Sequence, residues 1–329
     1  MSDHPAVLAE GLVKTFGTHR AVDGIDLDVR RGEVYGVLGP NGAGKTTMLS
    51  MLATLLRIDG GHAEVFGVDV ASRAHEVRQL VGVTGQYASV DEGLTARENL
   101  VLFGRLLGLR RPEARSTAAD LLETFGLEEA ADRPISQFSG GMRRRLDLAA
   151  SLIRRPPLIF LDEPTTGLDP RTRGQMWDTI RTLVAGGSTV LLTTQYLDEA
   201  DQLADRVAVI DGGRKVAEGT PDQLKSQVGA SSLQLRLADD ARLADAVRAV
   251  ERAVGEVPTV SPERSELSVA LDDADRAADV IVALRDAGVA VAQLSVRKPS
   301  LDEVFLALTG QPTTDGADAP AQHLLETAS

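Results

Sequence analysis

The 329-residue chain predicts an α/β fold: a mostly parallel sheet between helices, a smaller antiparallel sheet beside it, a helical insertion, and a small carboxyl-terminal α+β domain. Three observations predict this. Up to about residue 229, short runs that are apolar on both faces alternate with helix-like stretches, the pattern of buried parallel strands. In other parts of the same region apolar residues alternate with polar ones, as half-exposed antiparallel strands require. Beyond residue 229 the period switches in the order strand, helix, strand, strand, helix, strand, which suits a ferredoxin-like domain.

In chain order, GIDLDVRRG (24–32) and HAEVFGVDV (62–70) supply the alternating, antiparallel segments. VYGVL (34–38), QLVGVTG (79–85), PLIFL (157–161), STVLLTT (188–194) and RVAVID (206–211) are the doubly apolar strands. From Leu94 to Asp132, and by its flanks to about 140, apolar residues recur at three- and four-residue spacing, so this insertion is helical. SLQLRL (232–237), ELSVAL (266–271) and VAVAQLSV (289–296) read as strands, with a short one near Val257–Ser261 and helices over 240–254 and 273–287. Ser300 and Glu303 have the spacing of a capping box, which starts a last helix that runs to Gly310. The expected domains are 6–228 and 230–310, followed by a Pro-, Thr- and Ala-rich flexible tail at 311–329.

Composition narrows the chemistry. With 43% apolar residues the chain can build a packed core, and without cysteine it has no disulfide or thiolate chemistry, so metal binding falls to oxygen ligands. A net charge of −13 argues against nucleic acid as a partner, and −8 of it lies between Ala230 and Ser329 (17 acidic against 9 basic residues). The first residues lack a signal peptide, and no apolar run approaches the roughly 18 residues that span a bilayer, so the chain is expected to be soluble.

After VYGVL comes Gly39-Pro40-Asn41-Gly42-Ala43-Gly44-Lys45-Thr46-Thr47, between a strand and a helix-compatible segment. Glycines let successive N–H groups turn inward, and the following helix presents its positive end to the same point, which makes a phosphate cradle. Lys45 is expected to reach the β- and γ-phosphates and Thr46 to ligate Mg²⁺. PLIFLDEP delivers two carboxylates at the end of a buried strand. Burying charge requires a partner, so Asp162 is assigned to the Mg²⁺ and Glu163 to the attacking water as general base.

Phe138-Ser139-Gly140-Gly141-Met142 then resembles the signature sequence of ABC-type ATPases, a P-loop NTPase family. The helix it opens has a core face at Met142, Leu146, Ala149, Ala150 and Ile153 and a free positive end at Ser139 and Gly141. Arg143, Arg144 and Arg145 lie about 100° apart on such a helix and are expected as a solvated or ion-paired surface. The resemblance covers residues 6 to about 222. It implies ATP as ligand, a RecA-like core, Gln86 as a Q-loop glutamine near the metal, Asp169 in a D-loop, and Phe16 stacking on adenine. It further implies that Ser139, Gly140 and Gly141 bind the nucleotide held by a second ATP-binding subunit, in a homodimer.

Two departures stand out: Met142 replaces the usual Gln, and Gln195 stands where the family usually has His. Gln keeps a neutral N–H donor but cannot become cationic, so Glu163 rather than Gln195 is expected to dominate turnover. TTQYLDEADQLADRV and KPSLDEVFLALTG extend the likeness to the ATP-binding subunits of daunorubicin/doxorubicin resistance-type exporters. That resemblance implies a peripheral protein on the cytoplasmic face of the cell membrane, docked through the helical insertion on a separately encoded polytopic permease. Drug or antibiotic efflux is the implied transport; the alternatives are lipid or polysaccharide cargo, or a soluble ABC ATPase with no transport role.

Overall fold

The computed structural model describes residues 4–85, 90–228, 231–261, 266–271, 275–297 and 300–309; Gln86 and the tail expected at 311–329 lie outside them. The elements run β1 (Val7–Phe16), β2 (His19–Val29), β3 (Val34–Leu38), α1 (Lys45–Leu52), β4 (Gly60–Val65), β5 (Val68–Asp69), α2 (Ala74–Leu80), β6 (Val81–Thr84), α3 (Ala96–Leu106), α4 (Arg111–Thr124) and α5 (Gly140–Ser151). There follow β7 (Leu158–Asp162), α6 (Pro170–Ala185), β8 (Thr189–Thr194), α7 (Leu197–Leu203), β9 (Arg206–Asp211), β10 (Arg214–Gly219) and α8 (Pro221–Val228). The chain then divides into two compact units after Pro221. The second continues with β11 (Ser231–Leu237), α9 (Leu243–Val254), β12 (Thr259–Ser261), β13 (Glu266–Leu271), α10 (Arg276–Asp286), β14 (Val291–Arg297) and α11 (Leu301–Thr309).

In the first unit a six-stranded sheet has the order β10-β9-β3-β8-β7-β6, parallel throughout except for the antiparallel edge pair β10 and β9. A second, antiparallel sheet has the order β2-β1-β4-β5. The doubly apolar strands are explained by what covers each face. Phe160, Leu191 and Val37 pack with Met48 of α1 and with the antiparallel sheet, while Ile159, Leu161, Val190 and Leu192 pack with α5, α6 and the helical segment α3–α4. Every residue of β3, β7 and β8 is therefore buried, and apart from the Tyr35 hydroxyl, which donates to Glu218, their polar side-chain groups collect at the strand ends.

Local chemistry sets the helix starts. Thr95 caps α3 in a reciprocal box, its hydroxyl accepting from the Glu98 N–H at 3.2 Å while the Glu98 carboxylate accepts from the Thr95 N–H at 2.9 Å. In the second unit the four strands have the order β12-β13-β11-β14, each antiparallel to its neighbour, which is the ferredoxin-like arrangement expected from the element order. Leu233, Leu235, Leu267 and Val269 pack with Ala246, Val250, Val280 and Leu284 of α9 and α10. The Ser300–Glu303 box opens α11 with bonds of 3.3 and 3.4 Å.

Candidate functional site

The sheet order brings three strand ends side by side. β3 feeds the phosphate loop, β7 ends in Asp162 and Glu163, and β8 runs between them and ends in Thr193 and Thr194. Ligands of open α/β sheets bind beyond the carboxyl ends of the strands, and the described residues place a cavity of about 330 Å³ there, lined at one end by Phe16, His19 and Ala21 and at the other by the loop, Thr46, Thr47 and Glu163. Ser139, Gly140, Gly141, Asp169 and Gln195 do not line it.

The loop is built tightly. Gly44 sits at φ +101° immediately before α1, and a Cβ there would lie 2.3 Å from the carbonyl oxygen of Ala21, so both conformation and space require glycine. Lys45 is only 4% exposed. Its ammonium donates to the carbonyls of Gly39 at 2.7 Å and Pro40 at 3.0 Å and lies 3.5 Å from the Glu163 carboxylate. Burial pulls this ammonium below the usual lysine range, and the Glu163 and Asp162 charges oppose the fall. Thr46, on the first turn of α1, donates its hydroxyl to Asp162 Oδ1 at 3.0 Å, and Thr193 donates to the same oxygen at 2.5 Å. Thr46 and Asp162, which the sequence assigns to a metal, are thus neighbours.

Glu163 has a backbone unlike that of its strand. Its φ is +48°, left-handed, a conformation that costs a non-glycine residue about 1–2 kcal/mol. The turn is held by its N–H, which donates to the Thr193 carbonyl at 3.1 Å and lies 3.2 Å from the Thr193 hydroxyl. The Thr166 hydroxyl donates to the carboxylate at 3.2 Å. The kink turns Glu163 away from Asp162 and toward Lys45.

The second group of sequence-predicted residues has a different setting. Ser139 caps α5, its hydroxyl accepting from the Met142 N–H at 3.3 Å, and Ser139 and Gly140 are exposed. Gly141 rests on α6: a Cβ there would lie 2.3 Å from the Thr172 methyl carbon. Asp169 caps α6, one oxygen accepting from the Thr172 N–H at 3.0 Å and the other from its hydroxyl at 2.6 Å, and these bonds hold its carboxyl below the usual range. Gln195 follows β8, half-buried, and no described residue hydrogen-bonds its side chain. Phe16 ends β1 half-exposed, with the Lys14 ammonium 5.6 Å from its ring centre.

One expectation is corrected. Arg143 is ion-paired, 2.8 Å from Glu92, but Arg144 is no surface residue. Its guanidinium donates to the carbonyls of Asp162 at 2.8 Å, Glu163 at 3.1 Å, Pro164 at 3.1 Å and Gly85, while Arg145 donates to the Phe125 carbonyl at 2.9 Å. Helical periodicity locates a side chain on a face of its own helix and says nothing of unpaired carbonyls on another segment. Thr193 is likewise a site residue that the strand pattern does not single out, although two threonines at the end of an apolar strand are a visible signal. His19 lines the cavity without having been singled out.

Phosphate loop, strand-end carboxylates and an exposed, capped helix on one parallel sheet define a nucleotide-hydrolysing ATP-binding cassette. Residues 22–166 match the ABC transporter family, and residues 219–309 match the family described as ATP-binding protein DrrA1-3-like, C-terminal domain. The chain is 56% identical to the daunorubicin/doxorubicin resistance ATP-binding protein DrrA of Streptomyces peucetius over 94% of both chains. It is 41% identical to Nod factor export ATP-binding protein I of Burkholderia lata over 92% of this chain and 96% of the relative. Among solved structures it resembles an ATP-binding cassette described as a dimer in a post-hydrolysis state bound to ADP and Pi (TM-score 0.60, 26% identity, 65% of this chain and 98% of that one). The chain belongs to the ATP-binding proteins of ABC transporters, in the branch of the daunorubicin/doxorubicin resistance ATP-binding proteins. It is an ATP-binding ATPase, and proteins of this kind dimerise and work with membrane permeases.

Proposed function

We propose that the chain powers efflux of a drug-like amphipathic compound, as a homodimer that closes around two ATP molecules and drives a separately encoded polytopic permease from the cytoplasmic face of the membrane. The observation that carries this reading is the match along 94% of the chain to a daunorubicin/doxorubicin resistance ATP-binding protein, including the carboxyl-terminal unit. The geometry supports the sandwich. The residues around the cavity belong to one half-site, while the exposed cap of α5 presents N–H donors that do not reach it. No helix among the described residues is long and apolar enough to cross a membrane, so transport requires a partner that does.

In this reading Phe16 stacks on the adenine, Gly39–Thr47 cradle the phosphates, and Lys45 exchanges the Gly39 and Pro40 carbonyls for phosphate oxygens. The hydroxyl of Thr46 and the carboxylate of Asp162 are hard oxygen donors already in contact, and they fit Mg²⁺, which when bound neutralises developing phosphate charge. Gln86 completes that set but lies outside the described residues. Glu163 accepts the proton of the attacking water, and the neutral Gln195 contributes an N–H donor to the γ-phosphate. Ser139, Gly140, Gly141 and Asp169 face the nucleotide of the partner subunit. The likeness to Nod factor export ATP-binding protein I supports a second reading, with lipid or polysaccharide cargo. Nucleic acid is not expected as a partner at a net charge of −13.

The test is affinity purification of the tagged chain from detergent-solubilised membranes, using Glu163→Gln with ATP and Mg²⁺ to hold the closed dimer. A stoichiometric polytopic membrane protein is expected, and drug accumulation in cells with and without the pair then separates the cargo classes. Recovery of the chain only in a soluble pool with ribosomes or DNA would overturn the transport reading.

A further inference from the structure

Arg144 lies five residues past Ser139 on α5, and among the described residues its guanidinium donates to backbone oxygens alone. Nη2 donates to Asp162 at 2.8 Å and Glu163 at 3.1 Å, Nε to Pro164 at 3.1 Å, and Nη1 to Gly85 at the exit of β6. Three of the four carbonyls are consecutive, and they flank the one residue of the strand end with a left-handed φ. Consecutive carbonyls point in different directions in an extended strand. A turn at Glu163 brings them to one cation, and the cation in return holds the turn. Carbonyl dipoles facing a half-buried guanidinium are stronger partners than they would be in open water, because less solvent competes. Burial lowers the affinity of this guanidinium for its proton, while the charges of Asp147, Asp162, Glu199 and Glu163 oppose the fall.

About one turn before Arg144 the same helix begins at Ser139–Gly141, where Ser139 and Gly140 are exposed. α5 is anchored by Leu146, Leu148 and Ala149 in the core shared with β7 and β8, and the same helix carries Arg144. We propose that Arg144 is a positioning residue for ATP hydrolysis: by holding the Asp162, Glu163 and Pro164 carbonyls it fixes the left-handed turn that aims the Glu163 carboxylate, and it links that aim to the helix whose first turn carries Ser139–Gly141. This rests on the reading of Glu163 as the base. A lysine cannot substitute, because a point-like ammonium has no planar fork to span four carbonyls.

The experiment uses the full-length chain and compares wild type, Arg144→Lys, Glu163→Gln and the double variant. The readouts are the affinity for a fluorescent ATP analogue with Mg²⁺, ATPase kcat and KM, and the unfolding midpoint. Arg144→Lys is expected to lower kcat about 10- to 100-fold with nucleotide affinity within about twofold of wild type, an effect on the reacting geometry rather than on binding. Glu163→Gln is expected to lower kcat by about 10²–10⁴. The double variant should match Glu163→Gln, because nothing remains to be aimed. If Arg144→Lys unfolds, Arg144→Gln, assayed below its unfolding midpoint, replaces it with the same expectation. Wild-type kcat in a folded Arg144 variant beside an inactive Glu163→Gln would overturn the role of Arg144 alone, as would losses that multiply in the double variant. Wild-type turnover in Glu163→Gln would instead overturn the assignment of the base.

Discussion

The phosphate-loop half of the site and the signature half are made of similar chemistry in opposite settings. Both present N–H donors at a helix start, at Gly44–Lys45 and at Ser139–Gly141. The first is enclosed at its base, though Asn41, Gly42 and Thr46 are exposed: Lys45 and Glu163 are 4% and 8% exposed, Thr46 and Thr193 both donate to Asp162, and Gly44 is wedged against Ala21. The second is open, with Ser139 and Gly140 exposed and a 3.3 Å cap bond from the Met142 N–H to the Ser139 hydroxyl at its tip. The difference teaches how binding is divided. A preorganised half holds a nucleotide with little more than an exchange of partners at Lys45, whereas a half left to solvent gains its ligand only when another surface brings it. Enclosure therefore predicts dependence on one chain, and exposure predicts dependence on two.

The largest effect should come from breaking the enclosed half. Gly44→Ala places a Cβ against the Ala21 carbonyl at φ +101° and is expected to abolish ATP binding and to cost about 1–3 kcal/mol of stability. Gly42→Ala, at φ +82° with open space around it, should cost about 1–2 kcal/mol from conformation alone. Equal losses in thermal unfolding would show that close packing at Gly44 adds nothing.

A smaller and different effect is expected at the open half. Ser139→Ala removes the α5 cap, at about 0.5–2 kcal/mol, and should leave ATP affinity of the monomer unchanged while ATP-dependent dimerisation of an otherwise Glu163→Gln chain is lost in size-exclusion chromatography. Retained dimerisation would erase the distinction between the halves.

The smallest effect probes the support beneath the open half. Glu199 of α7 is fully buried and accepts from the Trp177 indole of α6 at 3.2 Å; burial raises its carboxyl above the ordinary range, against the hydrogen bonds and the Arg173 charge that lower it. The folded chain thus keeps a proton that the unfolded chain releases near pH 4.5. Its contribution to stability is complete below that pH and falls, by at most about 1.4 kcal/mol per pH unit, until the pH passes the folded value. Glu199→Gln removes the titration, so the unfolding midpoint of the variant should gain on wild type as the pH rises above 4.5. Parallel curves would show that Glu199 ionises freely where it lies.

Much of this was legible in the residues themselves. The phosphate loop, the strand ending in Asp162 and Glu163, and the apolar periods that place them depend on local backbone chemistry, which sequence expresses directly. The strand order of the second unit followed from element order, because a βαββαβ chain has few ways to close an antiparallel sheet under right-handed crossovers. The Arg143–Arg145 run shows where such reading stops. Three adjacent arginines are indistinguishable in a helical pattern, yet Glu92, four backbone carbonyls around Glu163, and the Phe125 carbonyl claim one each. Thr193 is similar, a strand residue until β8 is inserted between β3 and β7.

By itself the sequence determined where the phosphate-loop pattern and the strand-end carboxylates fall, where helices begin, and which strands must be buried on both faces, since each depends on residues close in the chain. Only the tertiary structure decided that Thr193 bridges to Asp162, that Lys45 meets Glu163, and that Arg144 holds the turn between them. Those contacts join segments 18 to 118 positions apart, and what selects them is the sheet order and the need of each buried polar group for a partner.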